Sequence, residues 1–267
     1  MAITTLDGYI ASAKQIALQK KTSSITAVAQ MITSPFAAAG IPGAGVLAGT
    51  NTTTGVVPDD TTAGFPLLNA FTGTKGYITR VNGYNSVSGT ILLVDVLLKM
   101  GAFAFNANAT GLTTADFSAR LPEISAGVKD YTGLEIWIEA VTAFTGNQTI
   151  QIGYLDQDGN AGNTGAIATG VAPIIGRCLR MPFASGDSGV RGITSVVSTI
   201  STVGTFNVLI VRPLVNMRIP FAGYSETRDL YGTGMPEVFA TSALGVYVRP
   251  DSTATGLPEF EIEIANG

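Results

Sequence analysis

Hydrophobic and polar residues alternate along much of the chain, with the period of two that is typical of half-buried β-strands. The pattern is clearest in "EFEIEIA" (259–265), where apolar side chains alternate with glutamates. It recurs in "LEIWIEAVTA" (134–143), where Trp137 shares one face with two glutamates. Both segments predict strands with one face toward a core and the other toward polar surroundings.

A different pattern occupies residues 89–105, "GTILLVDVLLKMGAFAF", which are almost continuously apolar and predict a strand buried on both faces. The turn signals Gly146-Asn147 and Asp158-Gly159 bound a predicted hairpin. Many short strands joined by such turns indicate an antiparallel sandwich, barrel or jelly roll. We therefore predict a mainly β fold, with an antiparallel β-sandwich or jelly-roll-like body, an N-terminal helix and a long extended arm.

The N-terminal region departs from the β pattern. Apolar residues at three- and four-residue steps predict a helix over 5–21, capped by one of the threonines that begin it. Residues 34–75 are rich in Gly, Pro and Thr, and predict an arm that is ordered by contacts in an assembly. We divide the chain into a helix and arm (1–75) and a β-rich body (76–267). Removal of 1–75 is expected to leave a soluble body that no longer assembles.

Charged residues make up 13% of the 267 residues, whereas a typical globular domain has about 25%. So little surface charge favours a protein whose surface is covered in an assembly, because a free monomer usually needs more charge for solubility. The same composition is also compatible with a secreted β protein. The net charge is −4 and the basic residues are scattered, so no nucleic-acid binding is expected. No apolar stretch reaches the roughly 18 residues of a membrane span, and none is predicted.

The sequence contains no histidine, which excludes Ser-His-Asp and Cys-His catalysis and histidine-ligated zinc. This decides the interpretation of "SGDSGV" (185–190), which resembles the nucleophile motif of chymotrypsin-like proteases. Ser188 has no histidine to take its proton, so we predict a polar loop between strands. Cys178, the only cysteine, is predicted to be a buried core residue. The alternative, a reactive thiol, rests on its flanking arginines, which would lower its pKa.

Two further segments resemble ligand loops. "GIPGAG" (40–45) lacks the Lys-Ser/Thr of a phosphate loop. "YLDQDGNAG" (154–162) carries Asp156 at the first position of a calcium loop, but Ala161 and Ile167 replace the required Gly and Glu. A hairpin turn is therefore the favoured interpretation of the second segment, and no metal or cofactor is predicted.

The segments "MAITTLDGYIASAKQ", "GYITRV", "MGAFAFNAN" and "DYTGLEIWIEAVTAFTGNQT" resemble structural proteins encoded in the head-gene modules of tailed bacteriophages. The resemblance covers the N-terminus and the first half of the β region. It implies a virion component, of the capsid decoration or auxiliary type, that is assembled in the host bacterial cytoplasm. The implied partners are its own copies and other capsid proteins, and no catalytic residue is implied.

We predict interface positions in both parts of the chain, at Tyr9, Ile16, Phe36, Ile41, Trp137, Arg228 and Asp229.

Three alternatives remain open from the sequence. One is a major capsid or tail structural protein, and another is a carbohydrate- or receptor-binding β module. The third is an enzyme that uses carboxylates alone, because the spacing of Glu261 and Glu263 suits a glycosidase pair. The same alternation is the normal solvated face of a strand, so we predict no enzyme.

Overall fold

A computed structural model describes residues 5–170, 174–199 and 203–267. The helices are α1 (Leu6–Ala11) and α2 (Leu230–Thr233), with a 3₁₀ turn at Ser118–Arg120. The strands, in chain order, are β1 (Lys14–Lys21), β2 (Ile32–Thr33), β3 (Gly40–Ile41), β4 (Asn51–Val56), β5 (Lys75–Asn85), β6 (Gly89–Ala104), β7 (Asn108–Thr110), β8 (Glu123–Ser125), β9 (Val128–Lys129), β10 (Glu135–Ala140), β11 (Thr149–Asp156), β12 (Ala161–Asn163), β13 (Ile167–Ala168), β14 (Arg177–Arg180), β15 (Val190–Ser198), β16 (Thr205–Ile219), β17 (Tyr224–Arg228), β18 (Glu237–Phe239), β19 (Leu244–Pro250) and β20 (Glu259–Asn266).

The centre of the molecule is a closed ring of six antiparallel strands in the order β16-β10-β14-β2-β19-β6, with β6 paired back to β16. Strand β4 extends the ring beside the far end of β6. A cluster of buried side chains fills the ring interior, including Trp137, Cys178 and Tyr247. Closure leaves these strands without free edges along most of the ring.

Two further sheets cover the outside of this ring. The first sheet has the order β17-β5-β20-β1-β3, with β18 also paired to β5, and it shares a core with the early part of β6 and the late part of β16. The second sheet, β12-β11-β15-β7 with β13, shares a core with β10 and the opposite ends of the same two strands. The predicted mainly β, antiparallel fold is confirmed.

The long strand predicted at 89–105 is confirmed as β6, which is buried on both faces. Leu92, Val94 and Val96 contribute to the ring interior, while Ile91 and Leu93 contribute to the core beneath the first sheet. A strand between two cores needs apolar residues at every position, which explains why the segment does not alternate.

The predicted N-terminal helix is confirmed only over its first turns. Thr5 caps α1, its Oγ1 accepting a hydrogen bond from the Gly8 N–H at 3.0 Å. The extension to residue 21 is wrong, since 14–21 form β1, which pairs antiparallel with β20. Spacing that suits a helix was outweighed by this pairing, in which the polar Gln19 and Lys21 are buried and donate to backbone carbonyls.

Residues 34–75 lie along the body instead of projecting from it. Phe65 belongs to the cluster that fills the ring, and Leu68 and Phe71 belong to the core beneath the first sheet. The backbone of this segment is fixed by short pairings at β3 and β4 and by contacts to buried side chains. The division of the chain at residue 75 stays a prediction.

Candidate interaction surfaces and buried polar groups

Two of the predicted interface residues lie near the N-terminus. Tyr9, in α1, donates a hydrogen bond from its hydroxyl to Glu263 Oε1 at 3.1 Å, which holds the helix against β20. Ile16, on β1, is 51% exposed. The helix has no buried residue, and Leu6 and Ile10 are both exposed on it. This end of the molecule therefore presents apolar side chains to solvent.

Phe36 and Ile41 lie on the segment that crosses the body. Phe36 is half-buried, with its ring centroid 4.8 Å from that of Phe65, whereas Ile41 in β3 is 57% exposed. Strand β3 pairs with the end of β1, so Ile16 and Ile41 lie at the same edge of the first sheet. The sequence placed these residues far apart, and the fold brings them to one edge.

Exposed apolar side chains continue from this edge over the segment that follows. Ile41, Val46, Val56 and Leu67 are all exposed, and we call this region the 36–67 surface. It contains an open depression of about 390 Å³ between residues 42–44 and 60–67. A second depression of about 230 Å³ is lined by apolar side chains and by Lys99.

The prediction that Trp137 is an interface residue is wrong. The indole is fully buried inside the ring, 5.0 Å from the Tyr247 ring in an edge-on arrangement. Its Nε1 donates to Glu135 Oε2 at 2.6 Å, and the Arg180 guanidinium covers it at 5.4 Å. The strand alternates as predicted, but the face that carries Trp137 points into a second core instead of toward solvent.

Arg228 and Asp229 lie at the other edge of the first sheet, at the end of β17. Arg228 Nε is 3.4 Å from Glu226 Oε1. Asp229 caps α2, because its carboxylate accepts hydrogen bonds from the N–H groups of Tyr231 and Gly232. These two positions therefore belong to a surface separate from the 36–67 surface.

A buried carboxylate that the sequence analysis did not identify lies at the centre of the molecule. Asp95, on β6, is inaccessible to solvent, and its oxygens accept hydrogen bonds from the Ser242 hydroxyl at 2.7 Å and the Ala243 N–H at 3.0 Å. Two guanidinium groups approach the same carboxylate, with Arg212 at 3.3 Å and Arg120 at 3.5 Å. The sequence signal that could have identified it is that Asp95 is the single aspartate within the apolar run of 89–105.

Arg120 extends this network to other segments. Its guanidinium donates to the carbonyl oxygens of Pro58 at 2.7 Å, Thr241 at 2.7 Å and Val96 at 2.6 Å. These acceptors belong to the crossing segment, the loop before β19, and β6. The network therefore fastens the 36–67 surface to the central ring with charge-assisted hydrogen bonds.

A second buried carboxyl group, Glu139 on β10, supports the same region. Its Oε2 accepts a hydrogen bond from Asn207 Nδ2 at 2.8 Å. Asn207 also donates to the Leu47 carbonyl at 2.7 Å and accepts from the Gly49 N–H at 2.8 Å. The side chain of Asn207 thus holds residues 47–49 against the ring.

Burial shifts the pKa values of Glu139 and of its neighbour Lys99. Burial raises the pKa of the Glu139 carboxyl, although Lys99 and Asn207 partly oppose the shift. Burial lowers the pKa of the Lys99 amine, whose Nζ donates to the Val46 carbonyl at 2.9 Å and lies 4.7 Å from the Phe36 ring. A carboxyl with a raised pKa can remain neutral among apolar neighbours, which suits a structural role.

Cys178 is buried in the ring interior, as predicted. Burial raises the pKa of its thiol well above the ordinary value, and the neighbouring carboxyl of Glu139 adds to this shift. The flanking arginines therefore do not produce a reactive thiolate.

The segment "SGDSGV" is a loop between β14 and β15, as predicted. The Ser188 N–H donates to Gln157 Oε1 at 2.9 Å, and its carbonyl accepts from the Gly133 N–H at 2.8 Å. Asp187 accepts a hydrogen bond from the Tyr154 hydroxyl at 2.5 Å. The polar atoms of this motif thus connect neighbouring loops.

The calcium-like loop is a hairpin turn between β11 and β12, as predicted. Asp156 Oδ1 accepts hydrogen bonds from the N–H groups of Asp158 and Asn160, each at 2.8 Å. Within residues 5–170, 174–199 and 203–267, no group of three acidic, histidine or cysteine side chains could hold a metal ion. In the same ranges no helix has the length and apolarity needed to cross a membrane.

The two glutamates considered as a glycosidase pair lie on β20, where Phe260, Ile262 and Ile264 occupy the opposite, buried face. Glu263 forms an ion pair with Arg80 at 3.2 Å and accepts a hydrogen bond from the Tyr9 hydroxyl. Its role in the structure is to join α1 and β5 to the last strand.

Comparisons with known proteins yield no family. No family model matches the sequence, and no curated protein sequence matches it. Among solved structures, the VP2 subviral particle of infectious bursal disease virus is 10% identical, with 96% of this chain and 81% of that chain covered and a TM-score of 0.19. The Gx strain of the same virus gives 11% identity, 94% and 80% coverage and a TM-score of 0.20. Superpositions this poor do not establish a shared fold.

Proposed function

We propose that this chain is a structural component of a tailed-phage virion. It binds the capsid lattice, its own copies or both, as a decoration or minor head protein. The supporting sequence observations are the resemblance of its N-terminal and central segments to phage head-module proteins and its low content of charged residues. Its place of action is the virion, after assembly in the bacterial cytoplasm.

The exposed apolar residues of the N-terminal region carry the proposal. Leu6 and Ile10 on α1, Ile16 on β1, and the apolar side chains of the 36–67 surface are all exposed. Val46 and Val56 line one depression of the 36–67 surface and Leu67 lines the other, and apolar side chains grouped in this way are typical of protein-binding surfaces. The two buried polar networks hold this segment in a fixed shape, which reduces the entropy lost when a rigid partner binds.

The proposal assigns no catalytic step and no cofactor. The alternative of a carbohydrate-binding module gains no support from Trp137, because a ring buried in the core cannot stack on a sugar. A major capsid or tail protein would use the same kind of surface, and it differs from a decoration protein in copy number.

Mass spectrometry of purified particles tests the proposal. We expect the chain in mature virions at a fixed ratio to the most abundant capsid protein, and a ratio below one indicates a minor component. Absence of the chain from particles that package DNA would overturn the assignment.

A matched pair of variants tests the contact surface. Leu67, on the 36–67 surface, and Ile124, on the β8–β9 hairpin, are both 70% exposed apolar residues. Leu67→Asp is expected to reduce incorporation into particles, while Ile124→Asp is incorporated normally. Equal incorporation of both variants would show that the 36–67 surface is not the contact.

A further inference from the structure

Strand β17 is an edge strand with the features of a pairing site. It pairs with β5 through five consecutive residues without a bulge, and no strand among the described residues pairs with its other side. Natural edge strands are often protected by charged side chains, above all lysine, by proline or by a bulge. Strand β17, Tyr-Ser-Glu-Thr-Arg, has no lysine, proline or bulge, and its two charged residues, Glu226 and Arg228, have opposite signs.

The register with β5 fixes which side chains of β17 share a face. Glu226 lies opposite Gly83, and Arg228 lies opposite Val81. Residues directly opposite each other point to the same side of a sheet, so Glu226 and Arg228 share the side that faces the ring. Thr227 points to the other side, where its hydroxyl lies 2.9 Å from Asn82 Oδ1.

Two-fold symmetry limits how β17 can pair with its own copy. When two identical antiparallel strands continue one sheet, the two-fold axis is perpendicular to the sheet. Opposite residues must point to the same side of the sheet. The axis therefore passes midway between a residue and the same residue of the other copy. An axis at Glu226 would place two carboxylates opposite each other, which is destabilising. An axis at Thr227 places Glu226 of each copy opposite Arg228 of the other, so both cross-strand pairs have opposite charge.

Exposed aromatic residues flank this edge. Phe221 is 70% exposed, Tyr224 is 44% exposed and Tyr231 is 91% exposed. The rings of Phe221 and Tyr224 already contact each other, with centroids 6.4 Å apart. Aromatic side chains are enriched among the residues that anchor protein interfaces.

We propose that β17 pairs antiparallel with β17 of a second copy, with Thr227 on the two-fold axis and two reciprocal Glu226–Arg228 ion pairs. The first sheet then continues from one chain into the next. The contact deepens the proposed function, since it names a second copy as one partner of a virion component. It lies at the opposite edge of the sheet from Ile16 and Ile41, which leaves the 36–67 surface free for another partner.

Complementary charge reversal tests this register in solution. Glu226→Arg and Arg228→Glu each convert both ion pairs into repulsive pairs. The dimer dissociation constant of each variant alone is therefore expected to be at least roughly tenfold higher than that of the wild type. An equal mixture of the two variants restores opposite charges at both contacts and is expected to recover the dimer. Sedimentation velocity of the wild type, each variant and the mixture gives the measurement.

Controls separate this contact from a general effect of charge. The intrachain Glu226–Arg228 pair is broken in both variants, so recovery on mixing can come only from contacts between chains. Glu259→Arg reverses a charge on β20, away from the edge, and is expected to leave the dimer unchanged. A monomeric wild type, or a mixture that stays monomeric, would overturn the proposal.

A cysteine placed on the axis gives an independent test that does not depend on charge. The two copies of residue 227 lie directly opposite each other, so Thr227→Cys is expected to form a disulfide-linked dimer on mild oxidation. Cys178 is buried and does not compete. Ser225→Cys lies off the axis and is the control; equal cross-linking of both variants would contradict the register. These experiments use purified protein, so their failure leaves the virion assignment to the particle measurement.

Discussion

Asp95 and Glu139 are both buried carboxyl groups, but the protein accommodates them by different physical means. Asp95 is surrounded by two guanidinium groups and two hydrogen-bond donors, so its charge is matched locally. Glu139 accepts a hydrogen bond from the Asn207 amide and is attracted by the Lys99 amine, but burial outweighs both and raises its pKa. The first group is held by charge pairing, while the second is favoured in its neutral form.

Replacing Asp95 by asparagine is expected to lower the free energy of unfolding by about 3–5 kcal/mol, because Arg120 and Arg212 would keep their buried charges without a counter-charge. Urea denaturation measures the change. Asp251→Asn is the control, since its pair with Arg218 is partly exposed and such pairs contribute only about 0–1 kcal/mol. Similar losses for both variants would mean that the Asp95 network contributes little.

The raised pKa of Glu139 predicts a specific pH dependence. The folded chain holds this proton more tightly than the unfolded chain, whose carboxyl has the ordinary pKa of 4.5. The contribution of this group to stability is therefore full below pH 4.5 and is lost as pH rises through the folded pKa. Glu139→Gln keeps an oxygen acceptor for Asn207 but cannot ionise, so it is expected to gain stability relative to the wild type as pH increases.

Urea unfolding of both proteins at a series of pH values above 4.5 tests this sign. Glu261→Gln, a half-buried position on β20, controls for the loss of one negative charge. If the difference between wild type and Glu139→Gln stays constant with pH, folding does not raise the pKa of the Glu139 carboxyl.

At the scale of elements, the sequence predicted strands well and the N-terminal helix poorly. The apolar run of β6 and the alternation of β20 were sufficient to predict these two strands. Each pattern depends only on which faces of that strand are buried. Strand β1 was misassigned because its buried positions include Gln19 and Lys21, whose partners are carbonyls distant in sequence. Local periodicity cannot show that a polar residue has a buried partner.

At the same scale, a close backbone contact explains the second glycine of "SGDSGV". Gly189 forms an isolated bridge with Thr132, and a side chain there would collide with the carbonyl oxygen of Tyr131. Gly189→Ala is therefore expected to cost about 1–3 kcal/mol of unfolding free energy. Ser188→Ala removes an exposed hydroxyl and is expected to change stability by less than about 0.5 kcal/mol. Thermal denaturation of both variants gives the comparison, and a larger loss for Ser188→Ala would contradict this account.

At the scale of the whole molecule, local sequence patterns could not predict the order of strand pairing that closes the ring. Its closure depends on the short strand β2, which bridges β14 and β19 through only a few residues. The interior position of Trp137 follows from closure, so its misassignment as an interface residue has the same cause. Sheet partners are fixed by contacts between distant segments, and these contacts leave no periodic signal in the sequence.

The position of residues 14–75 changes the expected result of truncation. Strand β1 pairs with β20 over seven residues, and Phe65, Leu68 and Phe71 are buried in two cores. Fully burying a large apolar side chain contributes about 1.5–3 kcal/mol, and total stability is about 5–15 kcal/mol. Removing residues 1–75 is therefore expected to unfold the body. Removing residues 1–12 deletes a helix without buried residues, and should lower stability by about 1 kcal/mol or less.

Circular dichroism and hydrogen exchange of the two truncated chains distinguish these outcomes. The shorter deletion should retain slow exchange in β6 and β16, while the longer one should lose it throughout. The shorter deletion also removes Leu6 and Ile10, so a chain that folds normally but enters particles poorly would assign α1 to assembly alone. A folded, cooperative body after removal of residues 1–75 would instead show that the β-rich region is an independent domain, as the sequence division at residue 75 implies.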